Sequence, residues 1–412
     1  MDAIKYVIGA GMPSCPRCQT VFPISRIVRQ DDGSATAHCC SCGPTRILLP
    51  EVAKKLIYLD QSFLSDAYEV STEPDGNPTV RRILSKLQVL KDRQQVYLII
   101  SDIHCAETFA IPDGYAEKRE RLWEFENNLA DGVIAANWSE VFLHQQIRVL
   151  LGPQAADDFP PADIGLKDPY RFNIGLRIQL TNTWRGRLHK QTAPQRELVN
   201  SQLRKILDSQ SGTLGTPNTS EDCLTHVRQL WREGVLCGIF GMRQRAADLT
   251  AIERFIAAPT TAPLRLSESA SSLFQPALEQ IARELGSDAL RKLEEKLAQD
   301  PTGGCICVLL HTAFEAEVLW SWCSADRTDS KTFKDKKFGL SRLNDMSHIA
   351  TYLPYVDALT TDNEMAKLCQ RSLARVDVER AKGKLYSRDT YAELELWLDE
   401  LGKRPLELLT HS

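Results

Sequence analysis

Two stretches decide the fold of this chain, Leu56-Ile57-Tyr58-Leu59-Asp60 and Val96-Tyr97-Leu98-Ile99-Ile100-Ser101-Asp102. Each is a short apolar run bounded by polar residues, which is the pattern of a strand covered on both faces of a sheet. Between them, the apolar residues of the stretch 80–90 recur at helical spacing. Strand, helix and strand in this order form the unit of a parallel sheet, so the sequence predicts an α/β fold.

The same pattern returns near the end of the chain. The sequence predicts a helix at 346–352, a strand at 356–360 and a helix at 363–373. The stretch 117–299 lies between the two α/β parts and reads mostly as helices. We therefore expect the parallel sheet to be built from two distant parts of the chain.

Composition excludes several classes of protein. The chain has 412 residues, of which 43% are hydrophobic and 25% charged, and this balance excludes wholesale disorder. The 50 Lys and Arg residues nearly balance the 54 Asp and Glu residues, which excludes a uniformly basic nucleic-acid coat.

No segment has the layout of an export signal or a membrane span. The long apolar stretch from Cys305 to Cys323 carries His311, Glu315 and Glu317, so it predicts a buried helix. We expect a cytoplasmic protein with no membrane partner, in a reducing compartment where cysteines bind metal or sit in cores.

Cysteine density sets the N-terminus apart, because five of the 12 cysteines fall between residues 15 and 42. Cys15-Pro16-Arg17-Cys18 and Cys39-Cys40-Ser41-Cys42 each place two thiols three residues apart, and the segment between them has room for a β-hairpin. Residues 1–50 therefore predict a zinc ribbon with a structural Zn²⁺ held by four thiolates. Cys40 is an alternative ligand, and a redox pair or chance clustering is the alternative interpretation. The expected ligands are Cys15, Cys18, Cys39 and Cys42.

Acidic residues recur at or just beyond the ends of predicted strands. Asp60 follows the first strand, Glu107 follows the second, and Asp362 follows the strand at 356–360. Asp345 opens the helix before that last strand. Taken alone, each acid is explained as a helix N-cap or a surface residue. Together they should meet at one sheet edge, where clustered carboxylates favour a hard divalent cation such as Mg²⁺ or Mn²⁺.

Four motifs resemble those of PIN-domain nucleases, in the family's order. Tyr58-Leu59-Asp60-Gln61-Ser62-Phe63-Leu64-Ser65 is similar to the opening motif, with Gln-Ser where Thr-Asn is commoner. Residues 100–108 resemble the second acidic motif, residues 344–350 the third, and residues 356–362 the closing strand with its acid.

The resemblance covers residues 55–110 and 338–380, under half of the chain. It implies a discontinuous PIN-like nuclease domain at 51–113 and 326–412, in which a parallel sheet is flanked by helices. A compact PIN domain is much shorter, so residues 114–325 are interpreted as a large helical insertion.

The activity that the resemblance implies is metal-dependent hydrolysis of phosphodiester bonds, generally in RNA. Asp60, Glu107, Asp345 and Asp362 would hold one or two Mg²⁺ or Mn²⁺ ions, which activate water and offset the charge that grows on the phosphate.

Four further residues are auxiliary candidates. Thr361 and Asn363 are candidates for positioning water or phosphate. His348 either bonds the scissile phosphate or packs in the core. Asp357 either supports a metal ligand from behind or caps a strand end, and we favour the cap.

Two basic stretches are candidates for phosphate contacts, because Lys and Arg neutralise the backbone without reading sequence. A solvated basic loop is the alternative for either stretch. Their candidate nucleic-acid-binding residues are Arg185, Arg187, Lys334, Lys336, Lys337 and Arg342.

The preferred function at this point is a metal-dependent endoribonuclease. A DNA-cleaving nuclease is one alternative, since residue types do not distinguish the sugar. The other is a non-catalytic adaptor that binds nucleic acid or protein through the zinc ribbon. We expect RNA as the partner, with DNA as the alternative and room for a regulatory protein.

Overall fold

Two sheets organise the part of the chain that the structure describes. The computed structural model describes residues 4–5, 18, 27–29, 34–39, 41–48, 52–73, 76–109, 111–152, 164–166, 205, 207–247, 278–279, 281–283, 285–327, 340–374 and 383–405.

The N-terminal sheet contains one parallel and two antiparallel pairings. Its strands are β1 (Ile4–Lys5), β2 (Ile27–Arg29), β3 (Ser34–Cys39) and β4 (Gly43–Leu48). The antiparallel pair β2–β3 confirms the hairpin predicted between Cys18 and Cys39. Strands β3 and β4 are also antiparallel, and Cys39 lies opposite Gly43, so a tight turn that contains Cys42 joins them. β1 runs parallel to β4.

The second sheet is parallel throughout, which confirms the predicted α/β fold class. Its strands are β5 (Lys55–Tyr58), β6 (Val96–Ser101), β7 (Ile134–Ala135), β8 (Ala358–Thr360) and β9 (Lys384–Tyr386). They are arranged in the order β7-β6-β5-β8-β9, and every neighbouring pair is parallel. The strand from the C-terminal part of the chain, β8, therefore lies directly beside β5.

Helices cover both faces of this sheet. Their bounds in the described residues are α1 (Gln61–Thr72), α2 (Pro78–Asp92), α3 (Asp102–Phe109), α4 (Ala116–Leu129), α5 (Trp138–Leu151), α6 (Ser220–Ala247), α7 (Ser287–Gln299), α8 (Ile306–Arg327), α9 (Leu340–Tyr352), α10 (Asn363–Leu373) and α11 (Tyr391–Lys403). Short 3₁₀ helices are formed by Asp113–Tyr115 and Arg388–Thr390.

Alternate residues of β5 separate two hydrophobic cores. Ile57 and Leu59 join the core formed with α1, α2, α3, α4 and α11. Leu56 and Tyr58 join the core formed with α5, α6, α8, α9 and α10. This alternation is the side-chain period of a strand, and burial on both faces explains why the run Leu56-Ile57-Tyr58-Leu59, which begins after Lys55, is apolar.

The predicted elements nearest to the acids are all present. The helix predicted at 363–373 has those bounds in α10, and the helix predicted at 80–90 lies within α2. The strand predicted at 356–360 is shorter and begins at Ala358. β7 and β9 were not predicted, because strands of two and three residues are too short to show a periodicity. β7 comes from the range 114–325, so this range contributes an edge strand to the sheet.

One helix in the described residues is long and apolar enough to cross a membrane, at Ile306–Ser324, and 78% of it is buried. It forms most of α8, whose residues Leu310, Phe314 and Leu319 pack in the same core as Tyr58. The burial agrees with the core helix predicted from the acidic residues and the histidine within this stretch.

Candidate functional site

Three of the four acids follow the carboxyl ends of adjacent strands. Asp60 lies two residues beyond β5, and Asp362 lies two residues beyond β8. Glu107 is on α3, which begins directly after β6. Because β6, β5 and β8 are neighbours and parallel, these positions share one edge of the sheet, where open α/β folds bind ligands.

Asp345 lies on α9, which begins at Leu340, so the prediction that Asp345 opens this helix was wrong. The pKa of Asp345 is raised to about 8, first by burial and then by the carboxylates of Glu107, Asp60 and Asp362, while Arg342 opposes the rise. Each of the other three acids therefore lies close enough for its negative charge to raise the pKa of Asp345. The three acids thus lie within electrostatic range of Asp345, and we call the four residues the acid cluster.

Asp60 is held in place on both sides. It is 7% exposed and caps α1, with Oδ1 accepting from the Phe63 amide at 3.2 Å. The Thr360 hydroxyl donates to Oδ1 at 2.9 Å, and the Ser62 hydroxyl donates to Oδ2 at 2.7 Å. Burial raises the pKa of Asp60, these hydrogen bonds oppose the rise, and the charge of Asp362 adds to it.

Asp362 caps α10. Its Oδ1 accepts from the amides of Glu364 at 2.7 Å and Met365 at 2.8 Å. The N-cap role considered for each acid alone is therefore real for Asp60 and for Asp362. Capping uses carboxylate oxygens that face the helix and does not exclude a ligand on the opposite side.

No three His, Cys, Asp or Glu side chains in the described residues meet closely enough to form a metal-binding group. The four acids are close enough for three of them to raise the pKa of Asp345. Their side chains are not close enough in this structure for three of them to bind one ion.

A buried acid that the sequence analysis did not identify lies beside the cluster. Glu126 on α4 is fully buried and accepts from Gln61 Nε2 at 2.7 Å and from the Thr108 hydroxyl at 2.9 Å. Burial raises the pKa of Glu126 to about 8, and the charge of Glu107 contributes to the rise. The sequence carries no signal for this, because α4 is rich in charged residues that are mostly exposed.

Ser62 and Thr360 were not predicted as partners of Asp60. In the resembled motif, Gln61 and Ser62 occupy the positions where Thr-Asn is commoner, and the structure gives each a separate task. Ser62 bonds Asp60, whereas Gln61 turns to Glu126. Thr360 is the last residue of β8. Nothing in the sequence around Thr360 distinguishes it from a threonine that is simply buried in the core.

The auxiliary candidates are engaged elsewhere. Asp357 accepts from Lys55 Nζ at 2.8 Å and from the Leu56 amide at 2.9 Å at the start of β8, which is the strand-end cap that we favoured. Asn363 exchanges two hydrogen bonds with Asp389, at 2.8 and 3.1 Å.

Two other auxiliary candidates are buried. Thr361 is 1% exposed, and its amide donates to the carbonyl of Tyr386 at 2.8 Å. His348 is 3% exposed, and its Nδ1 is hydrogen-bonded to the hydroxyl of Tyr58 at 2.8 Å. This placement is that of a packed histidine, one of the two roles considered for it.

Of the six basic candidates, Arg342 lies within the described residues, where its guanidinium forms an ion pair with Glu364. The other five lie outside them: Arg185, Arg187, Lys334, Lys336 and Lys337.

The two cysteine turns approach each other. Sγ of Cys18 and Sγ of Cys42 are 3.8 Å apart. Two thiolates bound to one tetrahedral zinc at about 2.3 Å are separated by about 3.8 Å, so this spacing fits a shared ion. Cys15 and the side chain of Cys39 lie outside the described residues.

No protein-family model matches this chain, and no curated protein or solved structure is similar enough to be matched to it. Function is therefore inferred from the geometry of its own residues.

Proposed function

We propose that this protein is a metal-dependent endoribonuclease with a PIN-like catalytic domain, in which the acid cluster binds Mg²⁺ or Mn²⁺. One observation carries the proposal: Asp60, Glu107 and Asp362 follow the carboxyl ends of three adjacent parallel strands. Asp345 lies close enough for their charges to raise its pKa. Residues from two distant parts of the chain thus place four carboxylates at the edge where such folds bind ligands.

The chemistry of the cluster suits a hard cation. The four side chains offer only oxygen donors, which are the ligands that Mg²⁺ and Mn²⁺ prefer. Without a cation, ionisation of Asp345 is opposed by burial and by three neighbouring acids. A divalent ion would relieve this repulsion, so the residues fit the ion that the motifs imply.

The protein's own groups would prepare the site. Ser62 and Thr360 hold the two oxygens of Asp60 in fixed directions, so that its orientation does not depend on the cation. The bound ion would supply an activated water and offset the charge that develops on the phosphate. RNA is preferred over DNA because the four motifs resemble a family that generally acts on RNA.

We also propose that Cys15, Cys18, Cys39 and Cys42 hold a structural Zn²⁺. The 3.8 Å separation of the Cys18 and Cys42 sulfurs supports it. Such a closed site would stabilise residues 1–50, and this ribbon would contribute to the choice of RNA or of a protein partner.

A second candidate function is a non-catalytic adaptor that binds nucleic acid or protein through the ribbon. It is favoured by the capping bonds of Asp60 and Asp362, which give both acids a structural role without any cation. It predicts that neutralising these acids leaves every measurable activity unchanged.

Cleavage of labelled RNA by the full chain in Mg²⁺ or Mn²⁺ separates the two. Asp60→Asn and Asp362→Asn should abolish cleavage while RNA binding and the fold are retained, because Asn caps helices about as well as Asp. Asp399→Asn is the matched control, since this acid pairs with Lys86 on α2 at 2.7 Å instead of facing the cluster. A chain that cuts neither RNA nor DNA in either cation and that binds no Mn²⁺ would overturn the nuclease proposal, and RNA binding that is equal in wild type and both variants would then favour the adaptor.

A further inference from the structure

A buried cluster of polar side chains lies among the elements that carry the acids. The hydroxyl of Tyr58 is hydrogen-bonded to His348 Nδ1 at 2.8 Å and to the Ser101 hydroxyl at 3.0 Å, and it lies 3.4 Å from His104 Nδ1. Each of the four residues is at most 3% exposed. We call these residues, Tyr58, Ser101, His104 and His348, the Tyr58 cluster.

Three members of the Tyr58 cluster lie two or three residues from an acid in the sequence. Tyr58 lies on β5, two residues before Asp60. His104 lies on α3, one helical turn before Glu107, and His348 lies on α9, one turn after Asp345. Residues three apart on a helix share a face, so each histidine is placed close beneath one acid.

The ring of His104 has a defined orientation. Its Nδ1 accepts from the Ser101 amide at 2.9 Å, so the proton is on Nε2, which donates to the carbonyl of Leu59 at 2.6 Å. Leu59 directly precedes Asp60. The ring therefore fixes α3, which carries Glu107, against the chain segment that carries Asp60.

The link to α9 is the bond between Tyr58 and His348. Within the described residues, Nε2 of His348 is buried without a hydrogen-bond partner, so this ring is oriented through Nδ1 alone. Without the Tyr58 hydroxyl, no hydrogen bond in the described part of the chain would orient the ring one turn from Asp345.

We propose that the Tyr58 hydroxyl is a positioning group that sets the spacing of Asp60, Glu107 and Asp345 for cation binding. This proposal rests on the proposed function. Tyr58 is fully buried, so it would act through the acids and not by touching the substrate. Groups hydrogen-bonded directly to metal ligands typically change metal affinity by about 10–100-fold when they are removed. Tyr58 acts through His348 and His104 instead, so we expect an effect at the lower end of this range.

The test is Mn²⁺ binding by the full-length chain, followed by electron paramagnetic resonance, with thermal unfolding measured in parallel. Tyr58→Phe should weaken Mn²⁺ binding by about tenfold or more. Tyr355→Phe is the matched control: its hydroxyl accepts from Gln145 Nε2 at 2.8 Å in the same core, and it should leave Mn²⁺ affinity within about twofold of wild type.

His348 provides a second, independent variant. His348→Ala should weaken Mn²⁺ binding as Tyr58→Phe does, and the double variant should show little further loss, because both remove the same bond. His348→Asn retains a polar group near Nδ1 and should recover most of the affinity.

The outcomes are distinguishable. If wild type binds Mn²⁺ and both Tyr58→Phe and His348→Ala bind it as Tyr355→Phe does, the positioning role is wrong and the nuclease proposal stands. If wild type binds no Mn²⁺, the proposed metal site fails and the positioning role fails with it.

Discussion

The hydroxyl of Thr360 donates to Oδ1 of Asp60 at 2.9 Å and accepts from the amide of Asp60 at 2.8 Å. This pair of bonds joins the ends of the neighbouring strands β8 and β5, and the two residues are 300 positions apart in the sequence. It fixes the backbone and the carboxylate of Asp60 at once. The acid cluster is therefore tied to the pairing of these two strands.

Thr360→Val should destabilise the protein by about 1–3 kcal/mol, because it leaves the buried amide of Asp60 without its acceptor. Urea unfolding measures the change. Thr351→Val is the control, since among the described residues that hydroxyl donates to the Ser347 carbonyl of its own helix, and its loss should cost less than about 1 kcal/mol. Equal losses in the two variants would contradict the role assigned to Thr360.

Stability in EDTA should fall as the pH rises from 6.5 to 8. The folded-state pKa of Asp345 is raised to about 8 from an ordinary value of 3.8, so the folded protein retains a proton that the unfolded chain has lost. Glu126, with a pKa raised to about 8, contributes in the same direction. The lowered pKa of His104, about 4, acts below pH 6.5 and so lies outside this window.

Asp345→Asn isolates the first of these contributions. In EDTA at pH 8 it should be more stable than wild type by at least about 1 kcal/mol, with a smaller difference at pH 6.5. Added Mg²⁺ should stabilise wild type more at pH 8 than at pH 6.5, because protons compete for the acid. A variant that is less stable than wild type at both pH values in EDTA would show that Asp345 is not held under charge repulsion.

Glu126→Gln should be nearly neutral at pH 7, with a change below about 1 kcal/mol, since the amide keeps an acceptor for Gln61 and Thr108. Glu126→Ala removes that acceptor and should cost about 1–3 kcal/mol. Chemical denaturation of both variants measures the difference. A large loss in Glu126→Gln would mean that the ionised form is the one the fold requires.

Purified protein should contain one zinc ion per chain. Cys18→Ser and Cys42→Ser should each lose it, because a closed tetrahedral site does not tolerate the loss of one thiolate. Cys40→Ser is the matched control from the same turn and should keep the metal. Elemental analysis by mass spectrometry gives the ratio, and loss of zinc in Cys40→Ser alone would reassign the fourth ligand.

Elements with a strong local pattern were predicted well. α10 has the predicted bounds because Asp362 caps it and its apolar residues recur at helical spacing. β5 and β6 are recognisable because burial on both faces requires an uninterrupted apolar run. β9 was not recognisable, because its three residues are too few to show an alternation of buried and exposed side chains.

Residues whose role depends on a distant partner were not predicted. Glu126 belongs to a helix of mostly exposed charged residues, and its burial arises only where α4 packs beside Gln61. The Tyr58 hydroxyl meets His348 across 290 positions of sequence, a separation that no local pattern reports.

The sequence by itself determined the α/β class, the order of the main elements and the acids that follow three strands, because strand burial and helix capping depend on neighbouring residues. Only the tertiary structure decided that Thr360 supports Asp60 and that Tyr58 is hydrogen-bonded to His348, one helical turn from Asp345. These relationships depend on how the C-terminal part of the chain returns to pair with β5, and on the loss of water from the groups that meet there.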